Sequence, residues 1–162
     1  MTGVADERAL LLEHYAPLRR YAAVVGPADV DPDDLVQEAM VKVLGLGQLT
    51  IHDDLGAYLR RTVLNISASH NRKMGRGRRA MVRLGPSAAA ATPAYPSDVA
   101  ELLKLEPRDR AALFLVDVEG WSFRDLAGEL GCSEATARTR VTRARRRVRD
   151  RLVSDESGLN RG

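Results

Sequence analysis

The stretch SEATARTRVTRARRRVRDRL, residues 133–152, holds eight arginines in twenty positions. Guanidinium groups at that density suit phosphate, because each is a permanent cation with a planar fork of donors. The same fork reads guanine edges bidentately in the major groove of DNA. On a helix turning roughly 100° per residue, the run is not uniform. With Arg138 at the origin, Ala137, Val141, Ala144, Val148 and Leu152 fall in one apolar arc between roughly 240° and 320°. The opposite arc carries Thr136, Thr139, Thr142, Arg143 and Arg146, with Arg138 at its edge. Ser133 sits at the helix start, where a hydroxyl and free backbone N–H groups suit phosphate. The plain alternative is a solvated charged face, which is what most charge runs are. Against it stands the sign. Glu134 and Asp150 are the only acids among the eight arginines, so the helix repels itself until a polyanion neutralises it. Arg145, Arg147, Arg149 and Arg151 read as backbone contacts or solvated charge.

Other chemistry finds no footing. His14, His52 and His70 are scattered, with no Ser/His/Asp or metal-ligand spacing beside them. Cys132 is the single cysteine, so no intramolecular disulfide forms, and it reads as a small apolar residue in a turn. DVDPDD, residues 29–34, superficially matches a calcium loop, but the sixth position is Asp34 rather than glycine and the twelfth is Met40 rather than glutamate. The chain reads as non-enzymatic, with no cofactor and no metal. No apolar run reaches membrane-spanning length, and MTGVADERALLLEHY carries acids where a secretion signal needs a basic start. A cytoplasmic protein without membrane insertion is expected.

The elements that must carry these residues are helices. Aromatic residues make up only 4% of the chain, and cores built from Leu, Val and Ala favour an all-α fold over a β-sandwich. Residues 4–25 place Leu11, Tyr15, Leu18 and Ala22 at helical spacing, with Pro17 inside to bend the helix or start a second one. In DVDPDDLVQEAMVKVLGLG, Asp31 caps, Pro32 suits the first helical position, and Asp33 and Asp34 favour the positive end of the dipole. Leu35, Ala39 and Val43 share a face, and Gly45 and Gly47 end the helix. HDDLGAYLRRTVLNISASHNRK starts a further helix with a buried stripe of Leu55, Tyr58/Leu59, Thr62/Val63 and Ile66, running into a Gly-broken basic segment NRKMGRGRR. Residues 75–97 are rich in Gly, Pro, Ala and Ser and read as a flexible linker. Beyond it, DVAELLKL is a short helix, a second runs from Pro107 to Gly120, and SFRDLAGEL is capped by Ser122 with Asp125 three residues on. The tight turn Gly131-Cys132 then leads to the arginine helix, giving a helix-turn-helix. Charge follows the same divisions. Residues 71–100 carry a net +5 and 133–153 a net +6, while 1–70 carry −4 and 101–132 carry −3. Two small helical domains joined by a flexible linker are predicted, at 1–74 and 98–153, with the linker at 75–97 and a tail at 154–162.

The second domain, EGWSFRDLAGELGCSEATARTRVTRARRRVR, resembles region 4 of bacterial RNA polymerase sigma factors. LuxR-type regulators share that pattern, and the first domain decides. DPDDLVQEAMVKVL resembles sigma region 2.2, with its D-L-V-Q-E run, and AYLRRTVLNISASHNRK resembles the region 2.3–2.4 helix. Two regions in this order, joined by a linker, resemble the extracytoplasmic-function (ECF, group IV) branch of the sigma-70 family. Arginine outnumbers lysine 22 to 3, a GC-rich signature that fits an actinobacterial source.

The resemblance implies roles. Asp34, Gln37 and Glu38 would dock on the β′ clamp helices of core RNA polymerase, although acids at a helix start are also ordinary dipole partners. Region 4 would meet the β flap. Asn65 would contact an unstacked −10 base, and Tyr58, where the family usually has tryptophan, would stack near the melted junction or pack in the core. Arg60, Arg61, Arg72 and Lys73 would hold phosphates, with Arg76, Arg78 and Arg79 extending the path. Arg138, Thr139, Thr142 and Arg143 match the family's −35 contacts, and they coincide with the exposed arc found from the helical wheel. An anti-sigma factor occluding both regions is a further partner that the family implies. Three departures stand out. Leu44 replaces a usual tryptophan, and residues 45–57 are poor in aromatics, which predicts weaker promoter melting. Ala135 and Ala137 replace a usual Gly and Val, loosening one core contact by about 1 kcal/mol. Two alternatives follow: a one-component helix-turn-helix regulator, and a sigma-like interaction protein that has lost initiation.

Overall fold

The computed structural model describes residues 3–46, 53–84 and 102–159. Every regular element among them is helical. The chain divides into two compact units, within residues 1–67 and 68–162.

In the first unit, α1 (Gly3–Val25) buries Leu11, Leu18, Tyr21, Ala22 and Val25, a helical stripe. Pro17 does not split it: α1 is one helix. Pro17 lies on the exposed side, as does Glu13, whose carbonyl loses its N–H partner and can meet water instead. At Gly26 a Cβ would sit 2.5 Å from Leu35 Cδ1 and 2.6 Å from the Ala22 carbonyl oxygen, so only glycine lets the next helix close on the end of α1. That helix, α2 (Pro32–Gly45), starts as its sequence dictates. Asp31 accepts the Asp33 N–H at 2.8 Å and Pro32 takes the first turn. Leu35, Val36, Ala39 and Val43 are buried.

α3 (Leu55–Leu84) is capped by Asp54, which accepts the Ala57 N–H at 2.9 Å. Leu55, Leu59, Val63 and Leu64 are buried, and the buried Ser67 hydroxyl donates back to the Val63 carbonyl at 2.9 Å. The predicted break at NRKMGRGRR does not occur. α3 runs through Gly75 and Gly77 to Leu84. A glycine costs a helix about 1 kcal/mol but keeps its N–H donor, so good helix formers on either side carry the helix through. Residues 75–84 of the predicted linker are therefore helical, and 85–97 lie outside the described residues.

In the second unit, Leu102 and Leu103 are helical, and the rest of the predicted short helix's start lies outside the described residues. α4 (Pro107–Leu113) continues into a widened turn, Phe114–Val118, where the Glu119 N–H reaches the Phe114 carbonyl five residues back at 3.0 Å. Gly120, at φ +73, and a Trp121 N–H bond to the Leu115 carbonyl at 2.8 Å turn the chain. α5 (Phe123–Leu130) begins on Ser122, whose Oγ accepts the Asp125 N–H at 3.1 Å while its hydroxyl donates to the Asp125 carboxylate at 2.6 Å. It ends at Gly131, left-handed at φ +63, with the Cys132 N–H closing on the Ala127 carbonyl at 3.0 Å. α6 (Glu134–Leu159) follows.

α4 and α5 both pack on α6. Ala137, Val141 and Ala144 are fully buried there, Val148 is half-buried, and Leu152 is exposed. The predicted five-residue seam thus closes one residue early. The reason is length: eight residues of α5 span about 12 Å, whereas Ala137 to Leu152 spans about 22 Å.

Candidate nucleic-acid interface

Thr136, Arg138, Thr139, Thr142, Arg143 and Arg146 are all exposed on α6, as the helical wheel requires. Their surroundings differ. The Thr142 hydroxyl donates to the Arg138 carbonyl at 2.9 Å, leaving it only acceptor capacity outward. Ser133 is exposed but its hydroxyl is bound in the cap: Oγ accepts the Thr136 N–H at 3.1 Å and lies 2.8 Å from the Thr136 hydroxyl.

The expectation of an unneutralised arginine run does not hold. Asp109, 7% exposed in the first turn of α4, takes Arg140 Nη1 on one carboxylate oxygen at 2.6 Å and Arg147 Nη1 on the other at 3.4 Å. Asp117, in the widened turn, receives Nε and Nη2 of Arg145. Arg138 pairs with Glu134 at 3.2 Å, and its guanidinium lies 4.4 Å from the centroid of the Phe123 ring of α5. Among the described residues, Arg143, Arg146 and Arg149 have no ion pair. The division is angular. With Arg138 at the origin, Arg140 and Arg147 lie at roughly 200° and 180°, and Arg145 at roughly 340°. Arg149, Arg146 and Arg143 lie at roughly 20°, 80° and 140°. Acids from α4 and the widened turn hold the edges, and the open arc keeps free charge. A shallow open groove of about 500 Å³ runs along one edge, with Glu106, Asp109, Thr139, Arg140, Arg143 and Arg147 among its lining residues.

No sequence motif marks Asp109 or Asp117. Their signal was the net −3 of residues 101–132 immediately before the +6 of the arginine helix. Arg110 was also missed. It is 3% exposed, and its Nη1 donates to the Leu103 and Leu105 carbonyls at 3.0 and 2.7 Å, pinning the chain that enters α4. Burial pushes its pKa down to about 10.

On α3, Arg61 and Asn65 are exposed and Tyr58 is half-buried, the three within an arc of roughly 60°. Arg72 and Arg76 continue that register and Lys73 lies beside it, all exposed. Arg60 does not join them. It is half-buried on the side toward α1, where a Cβ built on Gly56 would lie 3.3 Å from both its Nη1 and the His14 ring. The side chains of Arg78 and Arg79 lie outside those described.

On α2, Asp34, Gln37 and Glu38 are exposed together, opposite the buried Leu35, Val36 and Ala39. Glu38 pairs with Lys42 at 3.0 Å. Val41 and Leu44, 66% and 43% exposed, extend that face with apolar surface. Asp33, next to Asp34, is instead engaged by α1: Tyr15 OH and Arg19 Nε donate to its Oδ1 at 2.5 and 2.9 Å. Those two bonds, Tyr15 first, hold the Asp33 carboxyl below the usual carboxylate range, and the Tyr15 hydroxyl is raised in turn. Among the described residues, no helix is long and apolar enough to cross a membrane, and no three His, Cys, Asp or Glu side chains are grouped to hold a metal ion.

Residues 99–148 match the model of the Sigma-70, region 4 family. The chain is 32% identical over 149 residues to the ECF RNA polymerase sigma factor EcfG of Rhodopseudomonas palustris, covering 85% of this chain and 80% of that protein. It is 29% identical over 155 residues to the ECF RNA polymerase sigma factor SigM of Mycobacterium tuberculosis, covering 93% and 79%. Among solved structures it is similar to the sigma factor RpoE of Bartonella quintana, crystallised with the anti-sigma factor NepR. The TM-score is 0.69 at 26% identity, over 94% of this chain and 99% of that one.

Proposed function

We propose, from the premise that this chain belongs to the extracytoplasmic-function sigma factors of RNA polymerase, that its exposed polar faces divide the steps of promoter recognition. As a sigma factor it binds core polymerase and promoter DNA and directs initiation. The residue assignments are our reading. Asp34, Gln37 and Glu38 meet the polymerase clamp. Tyr58, Arg61 and Asn65, followed along α3 by Arg72 and Lys73, meet the −10 strand. The half-buried Arg60 lies off that face, toward α1. Thr139, Thr142, Arg143 and Arg146 read the −35 duplex, with Arg138 held at the edge of that face by Glu134 and Phe123. Ser133 and Thr136 offer the backbone of a capped helix start to phosphate. The protein works in the cytoplasm without a cofactor or a catalytic group of its own. An anti-sigma factor, the class of partner crystallised with the Bartonella protein, belongs to the same reading.

The observation that carries the reading is the partition of α6. Its paired arginines lie at the edges and its free ones in the open arc, next to threonines suited to base edges. The test combines core polymerase, this protein and a library of random upstream sequences, and sequences the RNA 5′ ends. Starts that share two spaced motifs are expected. Failure to bind core polymerase would overturn the reading. Core binding without initiation on any template would mark an interaction protein, and dimeric binding of duplex without polymerase would mark a one-component regulator.

A further inference from the structure

We propose that Asp109 is a specificity-determining positioning residue: its buried carboxylate withdraws Arg140 and Arg147 from DNA phosphates, so that among the arginines of α6 those of the open arc meet the DNA. The inference rests on α6 being the DNA face. One carboxylate uses both oxygens on two cations, at 2.6 Å to Arg140 and 3.4 Å to Arg147. Arg140 and Arg147 are seven residues apart, two turns along one edge of α6. Arg147 keeps 58% of its side chain exposed and lines the same groove as Thr139 and Arg143. A phosphate against that groove is therefore within its reach. Withdrawing both arginines from Asp109 would strand a carboxylate that is only 7% exposed, and an abandoned buried charge is strongly unfavourable. The acid thus holds Arg140 at 2.6 Å and competes with a solvated phosphate for Arg147. This matters for discrimination, because phosphate contacts strengthen binding to every sequence equally. An α6 with its edge arginines released would hold unrelated duplex more tightly without reading it better.

A tether that merely fastens α6 to α4 would behave differently. Its loss would lower stability and affinity without steepening the salt dependence. The test titrates the full-length protein onto a mixed-sequence duplex across a range of KCl concentrations and takes the slope of log K against log salt. Each phosphate contact adds about 0.9 to that slope. Asp109→Asn, which keeps the side chain's shape, should tighten binding to this duplex and steepen the slope by about 1 to 2. Arg147→Gln should leave the slope unchanged in the native background and lower it by about 0.9 in the Asp109→Asn background. An unchanged or shallower slope in a folded Asp109→Asn variant overturns the proposal. Should that variant not fold, Arg147→Gln decides: an unchanged slope supports the proposal, and a loss of about 0.9 shows Arg147 already on phosphate and overturns it. Failure of the α6 reading looks different. There Arg143→Gln leaves the slope untouched.

Discussion

Asp33 and Asp34 are chemically identical neighbours with opposite fates. One helical step of roughly 100° turns Asp33 toward α1 and Asp34 to solvent. The sequence shows only two acids at a helix start, and both read as dipole partners. What it does not show is that Tyr15 and Arg19, one turn apart on another helix, converge on the first of them. The pair has a signature in acid. The Asp33 carboxyl lies below its ordinary value of 3.8, so the folded state binds fewer protons than the unfolded state in that region. The stabilisation is therefore complete above the ordinary value and lost as pH falls through the folded one. Asp33→Asn should lower the urea midpoint at neutral pH. The gap to the native protein should close as the pH drops below 3.8. A gap that stays constant into acid would mean that Asp33 contributes through shape rather than charge.

Helix existence was legible in this chain and helix company was not. Asp31, Pro32, Ser122, Gly131 and Ser133 punctuate the sequence, and the structure uses each of them as a cap, a first turn or a stop. Pro17 and the Gly75–Gly77 pair misled, because an exposed proline and helical glycines weaken a helix without ending it. The widened turn at Phe114–Val118 left no local signature, and it carries Asp117 to Arg145. The arginine helix shows the same split. Its wheel located the buried seam and the open arc from periodicity alone, but which arginines carry free charge depended on acids 28 to 38 residues earlier. Among the free ones, Arg143 sits in the open arc beside Thr139 and Thr142, while Arg149 lies at its margin, nearly two turns further along. Arg143→Ala should weaken binding to the cognate −35 duplex by about 1–3 kcal/mol and relax preference at one or two base pairs. Arg149→Ala should lower affinity for all duplexes alike and reduce the salt slope by about 0.9. Binding selections on randomised −35 duplexes separate the two, and equal, sequence-blind losses would refute the division of the arc.

The chain has two compact units, and on the proposed reading polymerase binding and −35 reading can be perturbed separately. Glu38 lies on α2 in the first unit and Arg143 on α6 in the second. Glu38 is exposed, and its bond to Lys42 is a surface pair between consecutive turns, worth a few tenths of a kcal/mol. Glu38→Lys removes that pair and sets two lysines four residues apart, so the cost to folding should stay near 0.5 kcal/mol. An effect on polymerase binding beyond that must come from the interface. On the proposed docking of this face to the polymerase clamp, placing a cation at Glu38 should lower affinity for core polymerase by about tenfold or more, equivalent to about 1.4 kcal/mol. Glu38→Gln should fall between the native protein and Glu38→Lys, and Lys42→Ala should leave the affinity unchanged, which excludes the internal pair as the cause. Arg143→Ala, with its change confined to the other unit, should bind core polymerase as the native chain does and still fail on −35 duplex. Core affinity measured by competition across these four variants decides the matter. A Glu38→Lys protein that binds core normally would remove this face of α2 from the interface and leave Val41 and Leu44, the exposed apolar end of the same helix, as the surface to examine next.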